Sequence, residues 1–259
     1  MKKINLTRQG KVAICTINRP DVKNALDLEA YYEFEKIMKE VRHDTDIRVV
    51  VINGEGTSFC TGLDLKFAAQ IEQLSIMELE NLIKRLQDIF AFEKIAKPVI
   101  SAVQGYAMGN GCDIALASDF IIAAESAKMT MAYTNLGLIP DLGGTFRLPR
   151  LVGLARARDL ILTGREINAQ SALEMGLIIK VVPDDKLMEQ TMEFAERLAQ
   201  RPPIALALAK EAINKSLSSD LSTVCSLEAS MQSICLQSND VKEAIAAFAE
   251  KREPEFKGR

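Results

Sequence analysis

Short runs of β-branched residues alternate with amphipathic segments over the first two thirds of the chain. Glycine or proline bounds most of the runs, which is typical of strands, and a continuous run such as RVVVIN predicts a buried strand. The segments between them repeat apolar residues every three or four positions, which predicts helices. The predicted strands are 11–18, 48–53, 98–104 and 120–124, and the predicted helices are 26–41, 77–95 and 110–118. This alternation indicates an α/β fold with crossover connections.

The last third of the chain has mostly helical periodicity, interrupted by a last predicted strand at 178–182. The predicted helices are 169–176, 184–200, 202–217, 221–237 and 240–251. Asp184 is expected to cap its segment, and Pro202–Pro203 lies where a first helical turn tolerates proline. Because no strand is predicted beyond Pro183, we place a boundary there. The sequence thus predicts an α/β core, residues 1–183, followed by a helical C-terminal part, residues 184–259.

Composition and charge narrow the function classes. The 259 residues fit one large domain, and a net charge of −3 gives no bulk electrostatic case for nucleic acid. No apolar run approaches the ~20 residues of a membrane span, and no signal peptide is recognisable. Five cysteines without a CxxC pair suit a reducing cytosol, and a single histidine makes a zinc site improbable. We therefore expect a cytoplasmic protein with no membrane, nucleic-acid or metal partner.

The first candidate site is the segment SFCTGLDL, residues 58–65, which follows a predicted strand. A glycine among small residues at this place lets a ligand approach the backbone closely. An alternative interpretation is a plain strand-to-helix loop in which Asp64 caps the helix.

The second candidate is the segment VQGYAMGNGCD, residues 103–113, with three glycines between a strand and a helix. Its GxxxGxG spacing differs from the GxGxxG of dinucleotide folds, and it lacks the Gly-Lys-Ser/Thr ending of a P-loop. Free N–H groups at the helix start carry positive partial charge, which suits an oxyanion. Close packing of the helix on the strand is the alternative explanation.

The third candidate is LGLIPDLGGT, residues 136–145, in which Asp141 lies between an apolar run and a glycine pair. Apolar surroundings raise the pKa of a carboxyl group because they disfavour its charged form, and this tunes a general base toward neutrality. Alternatively, Asp141 caps a helix that begins at Leu142.

Taken in order, the three motifs resemble the crotonase, or enoyl-CoA hydratase/isomerase, superfamily along almost the whole chain. The resemblance includes NRP and NAL near the N-terminus, FCTGLDL, KPVISAVQGYAMGNGCD, SDFIIAAESAKM, NLGLIPDLGGTFRLPRLVG, LTGREINAQSALEMGLI and AFAEKREPEF. It implies a ββα spiral core with a helical C-terminal trimerisation part. It also implies an enzyme of acyl-CoA thioesters that assembles as a homotrimer or hexamer. Coenzyme A enters as part of the substrate, and no separate cofactor is expected.

The resemblance also implies roles for individual residues. The backbone N–H groups of Leu63 and Asn110 match an oxyanion hole for the thioester carbonyl, which stabilises an enolate. In most members of the family a glycine stands where this chain has Asn110. The remaining positions matched to substrate binding are Ala25, Cys60, Thr61, Gly62, Asp64, Gly109 and Tyr133.

The carboxylates decide between two reactions. Hydratases of the family activate water with two glutamates, which match Asp113 and Tyr133 here, and tyrosine is a poor base at neutral pH. A carboxylate at the position of Asp141 is the single base of some enoyl-CoA isomerases. The segment MAYTNLGLIPDLGGTFRLPR resembles 1,2-epoxyphenylacetyl-CoA isomerases and Δ3,Δ2-enoyl-CoA isomerases in particular. We therefore favour an isomerase, with a hydratase acting on an enoyl-CoA or a cyclic dienoyl-CoA as the alternative.

A protein of this fold that binds acyl-CoA or RNA without catalysis is the second alternative. The oxyanion motifs and Asp141 argue against it, since a scaffold has no use for a carboxylate in its pocket. Among the other candidate residues, we expect His43 on the surface and Cys112 in packing. We expect Lys210 and Lys215 on a solvated helix face.

Overall fold

A six-stranded sheet lies at the centre of the computed structural model, which describes residues 2–259. Its strands run in the order β1-β2-β3-β4-β6-β9, and all neighbours are parallel except β1 and β2. A three-stranded sheet pairs β7 with β5 and β8. The strands are β1 Ile4–Gln9, β2 Val12–Ile17, β3 Val49–Gly54, β4 Val99–Val103, β5 Tyr106–Met108, β6 Phe120–Ala124, β7 Lys128–Thr130, β8 Glu166–Asn168 and β9 Lys180–Val182.

Helices cover both faces of the larger sheet. The α-helices within residues 2–259 are α1 Leu28–His43, α2 Leu65–Ile71, α3 Ile76–Ile89, α4 Asn110–Ala117, α5 Gly144–Val152, α6 Leu154–Thr163, α7 Ala169–Glu174, α8 Leu187–Ala199, α9 Pro203–Ser216, α10 Leu221–Gln237 and α11 Asn239–Glu250. Helix α8 packs on one face and contributes Leu187, Met192 and Ala195 to an apolar layer with Val49 and Val51. The other face carries the main core, which includes α1, α4 and an aromatic cluster around Phe90. None of the helices described here is long and apolar enough to cross a membrane.

The expected α/β class is confirmed, and the predicted strands and most helices are present. The predicted helix 221–237 matches α10, and α9 begins at the second of the two prolines, Pro203. One detail is wrong. Asp184 does not cap α8, which begins at Leu187 after a short 3-10 turn, because its carboxylate accepts hydrogen bonds from the backbone N–H and hydroxyl of Ser126. The boundary at Pro183 stays a prediction. Helix α8, which follows it, packs directly on the larger sheet.

The expectation for the two lysines of α9 is half wrong. Lys215 is exposed, but the Lys210 side chain is only 9% exposed and pairs with Asp119 at 2.6 Å. Its ammonium group also donates to the carbonyl oxygen of Lys97 at 3.1 Å. Burial lowers the pKa of Lys210 and raises that of Asp119, since both charges lose hydration. This pair therefore fixes α9 to the start of β6.

Replacing Lys210 with methionine tests this contact. Lys210→Met keeps the apolar stem but leaves the Asp119 carboxylate with only its hydrogen bond from the Val99 N–H at 2.7 Å. Losing a charge-assisted hydrogen bond costs about 1.5–3 kcal/mol, so we expect the free energy of unfolding in urea to fall by that amount. Lys215→Met on the same helix is the matched control and should change it by less than about 0.5 kcal/mol. Equal effects of the two variants would contradict the assignment.

Candidate active site

Residues 58–65 and 103–113, the first two candidate segments, are joined by a short ladder of backbone hydrogen bonds. Cys60 pairs with Ala107 in a parallel bridge, and the N–H of Met108 donates to the carbonyl oxygen of Cys60 at 3.0 Å. Gly111 makes this approach possible because a Cβ there would overlap the carbonyl oxygen of Cys60 and lie 2.7 Å from its carbon. The sequence needs glycine at this point because backbone occupies the space of a side chain.

Two N–H groups are left unpaired where the motifs meet. Asn110 is the first residue of α4, so its N–H has no partner within the helix. The N–H of Leu63 likewise donates to no other group of residues 2–259, although its neighbours Gly62 and Asp64 both bond to Leu26. A Cβ built on Gly62 would lie 3.1 Å from the Asn110 nitrogen, so the two segments are in van der Waals contact. Both donors are therefore available to an oxygen of a bound molecule.

Helix α4 also carries Asp113 into the interior. Its carboxyl group is fully buried and accepts a hydrogen bond from the Tyr133 hydroxyl at Oδ2, while Oδ1 has no partner among the described residues. Burial raises the pKa of Asp113 to about 7. The hydrogen bond from Tyr133 opposes this shift, and the neighbouring charge of Asp141 adds to it. Asp113 thus changes protonation near neutral pH.

Asp141 lies in the loop before α5, beside the start of α4. The Asn110 side-chain amide donates to its Oδ1 at 3.3 Å, and Gln87 of α3 donates to its carbonyl oxygen at 2.7 Å. Burial raises the pKa of this carboxyl group, as its apolar surroundings predicted, while its own backbone N–H, the Asn110 amide and the nearby Tyr133 hydroxyl oppose the shift. Asp141 does not cap a helix, since α5 begins at Gly144.

The remaining residues matched to substrate binding belong to these segments or contact them. Asp64 caps α2 by accepting from the Lys66 N–H at 2.9 Å, as its alternative interpretation predicted, and it pairs with Arg19 at 3.0 Å. The N–H of Thr61 donates to the carbonyl oxygen of Lys23, two residues before the buried Ala25. Gly109 leads into α4, with its Cα facing the ring of Tyr133.

The cysteines of the site are unsuited to nucleophilic chemistry. Burial raises the pKa of Cys60 to about 12, and the pKa of Cys112 is also raised, first by burial and then by the charge of Asp113. The thiolate is the reactive form, so Cys112 serves in packing, as expected. His43 is exposed at the end of α1, also as expected.

Sequence reasoning missed several contacts of the site, and two of them involve Asp141. The Asn110 side chain binds Asp141, whereas only its backbone was considered, and Gln87 holds the loop that carries Asp141. An amide in place of a family glycine was the signal for the first contact. No local pattern marks Gln87, because 54 residues separate it from Asp141.

Comparisons with known proteins found similar sequences and structures over nearly the whole chain. A family model described as "Enoyl-CoA hydratase/isomerase" matches residues 7–259. The chain is 36% identical to the short-chain-enoyl-CoA hydratase of Clostridium acetobutylicum, over 100% of this chain and 99% of that protein. It is 38% identical to the 1,2-epoxyphenylacetyl-CoA isomerase of Escherichia coli, over 96% and 95% of the two chains. Its structure is similar to that of an enoyl-CoA hydratase from Bacillus anthracis, with 38% identity, full coverage of both chains and a TM-score of 0.94.

Proposed function

Because the chain belongs to the enoyl-CoA hydratase/isomerase family, whose enzymes act on acyl-CoA thioesters, we propose that it shifts a double bond in an enoyl-CoA. The observation that carries this proposal is the contact of Asp141 with Asn110, whose N–H is one of the two free backbone donors. A base next to an oxyanion site is the arrangement that enolate chemistry requires. No second carboxylate lies at position 133 to share a water molecule.

The proposed reaction uses one carboxylate twice. Asp141 takes a proton from the α carbon of a 3-enoyl-CoA, and the C–H electrons move to the thioester oxygen, which gives a dienolate conjugated with the C3–C4 double bond. The N–H groups of Leu63 and Asn110 hold that oxygen as an enolate. Asp141 then delivers the same proton to the γ carbon, where the electron pair of the former C3–C4 double bond binds it. The enolate electrons restore the thioester carbonyl and a double bond forms between C2 and C3, so the product is the 2-enoyl-CoA and no proton or charge is gained or lost.

Hydration of a 2-enoyl-CoA is the second candidate. A pKa of about 7 for Asp113 suits a group that exchanges protons near neutrality. Relatives named as hydratases, including the crotonyl-CoA hydratase of Syntrophomonas wolfei at 37% identity, also favour it. Against it, Tyr133 already occupies the Oδ2 atom of Asp113.

A paired assay separates the candidates. The protein is incubated with a 3-enoyl-CoA and, separately, with a 2-enoyl-CoA in heavy-oxygen water, and the products are analysed by mass spectrometry. An isomerase interconverts the two enoyl-CoAs without gaining mass. A hydratase adds one water to the 2-enoyl-CoA. Binding of both thioesters without turnover would identify a non-catalytic member of the family.

We also propose that the protein assembles as a homotrimer or hexamer. Large apolar side chains are exposed on the loop and helices that follow the site and on α11, namely Leu136, Leu138, Ile139, Leu154, Leu162, Ile245 and Phe248. Exposed apolar surface of this extent is typical of an interface. Cyclic symmetry would let every copy use the same contact and close the assembly.

Light scattering checks this assembly. We expect a mass three or six times that of the 28.6 kDa chain at micromolar concentration. Phe248→Asp places a charge on the most exposed of these side chains, at 88%, and should shift the mass toward that of one chain. A stable single chain for the unchanged protein would contradict the proposal.

A further inference from the structure

The Tyr133 hydroxyl lies between the two carboxylates of the site. It donates to Asp113, and it is close enough to Asp141 to lower the pKa of that carboxyl group. A phenol has one hydrogen and therefore serves only one of two carboxylates at a time. The direction of that hydrogen depends on which carboxylate carries a proton.

The two carboxyl groups, of Asp113 and Asp141, differ in how deeply they are buried. The Asp113 side chain has no exposed surface, whereas Asp141 is half-buried and also receives the Asn110 amide. Charge is disfavoured more strongly at the drier position, and the charge of Asp141 further raises the pKa of Asp113. Asp141 is thus the first to ionise, and Asp113 is the one that keeps a proton as the pH approaches neutrality.

We infer that Tyr133 is a positioning residue that turns its hydrogen toward Asp141 while Asp113 holds a proton, an inference that rests on the proposed isomerase function. Neutral Asp113 then donates to the Tyr133 oxygen, and Tyr133 donates to the Asp141 carboxylate. The same oxygen–oxygen contacts accommodate this direction of hydrogen bonding and its reverse. Asp113 acts in this arrangement as the holder of a proton and not as a water-activating base.

The arrangement predicts a bell-shaped dependence of kcat/KM on pH. On the acid side, kcat/KM rises as Asp141 ionises, because the base must be charged to accept a proton. On the alkaline side, kcat/KM falls as Asp113 ionises. The Tyr133 hydrogen then turns from Asp141 to Asp113, and a negative charge is added beside the forming enolate. The other charged or titratable groups near these carboxylates are Arg147, Cys112 and Tyr31. Arg147 is a cation. Burial raises the pKa of both the Cys112 thiol and the Tyr31 phenol, so neither of these two groups produces a limb near neutrality.

Two variants and a control test the inference through the pH profile. Tyr133→Phe removes a hydrogen bond that lowers the pKa of both carboxyl groups, so both limbs should move to higher pH. Asp113→Asn should abolish the alkaline limb and leave a plateau. Tyr31→Phe removes another fully buried phenol, one with no partner among the described residues, and should move neither limb. A pH-independent loss in Tyr133→Phe, or an alkaline limb that persists in Asp113→Asn, would overturn the inference.

A substrate-free measurement keeps this test separate from the proposed function. The carboxyl carbons of aspartate are labelled with ¹³C and titrated by NMR, and the Asp113→Asn spectrum assigns the signal of Asp113. We expect that signal to titrate near pH 7 and to move to higher pH in Tyr133→Phe. Titration near the ordinary value of about 4 would refute the inference whatever the substrate. The expected titration in a protein that isomerises no enoyl-CoA would refute the proposed function alone.

Discussion

Asp141→Asn is expected to lower kcat by about two to four orders of magnitude, the range contributed by a general base. Asparagine keeps the shape of the side chain and can still accept the hydrogen bond that Asn110 donates at 3.3 Å. It cannot take a proton from carbon. The Kd of the CoA thioester should be nearly unchanged, because the proposed binding groups are backbone N–H groups on other segments. Steady-state kinetics and calorimetric titration with a non-reactive thioester measure the two quantities.

Two further variants are needed beside Asp141→Asn, one as a control and one to separate the isomerase from the hydratase. Asp159→Asn breaks an exposed ion pair with Arg165, remote from the three motifs in sequence, and should keep full activity. If Asp141→Asn turns over at nearly the normal rate while Asp113→Asn is inactive, the isomerase assignment is wrong and the hydratase takes its place.

Gly111→Ala is expected to lower kcat by about two to three orders of magnitude, the loss that follows removal of one oxyanion donor. The added Cβ would overlap the carbonyl oxygen of Cys60, which is backbone and cannot rotate away as a side chain would. The segment with Leu63 must therefore move from the segment with Asn110, and the two N–H groups can no longer bind one oxygen.

Stability must be measured alongside activity for this variant. Gly10→Ala is the control, since a Cβ there meets nothing within 4 Å. It should cost stability through its positive φ without lowering kcat. Should Gly111→Ala fail to fold, Gly62→Ala tests the same point from the opposite segment, where a Cβ would lie 2.7 Å from the carbonyl oxygen of Met108. Full activity in a folded variant of either glycine would refute the oxyanion assignment.

The sequence predicted elements whose pattern is long or strongly apolar. The strand 120–124 was located to the residue, because five apolar positions lie between two polar ones. Strands β5, β7 and β8 were missed because three residues are too few to establish a period of two. Strand β1, Ile4–Gln9, was missed because its second half is polar and exposed. Helix α6 was missed because its arginines and alanines dilute the apolar spacing, and a single helix predicted over 77–95 stops instead at Ile89.

The segments and residues of the candidate site were predicted from the sequence, but the contacts between their side chains were not. The three motifs and Asp141 were identified from residue types, since glycines beside a helix start and a carboxylate among apolar residues have local signatures. The contacts of Tyr133 with Asp113 and of Gln87 with Asp141 span 20 and 54 residues. Such distances are set by how the sheets and helices pack, which no local pattern contains. The roles of the individual residues stay predictions.

The position of α8 constrains how the protein is made. A ribosome releases β1 to β6 well before residues 187–199, so the valine and isoleucine face that α8 covers is bare during much of synthesis. Parallel pairings between strands tens of residues apart form slowly, which lengthens that interval. A nascent chain stalled near β9 would present Val49, Val51 and Ile100 to other chains or to a chaperone. Rare codons before α8 would therefore reduce yield more than rare codons after it.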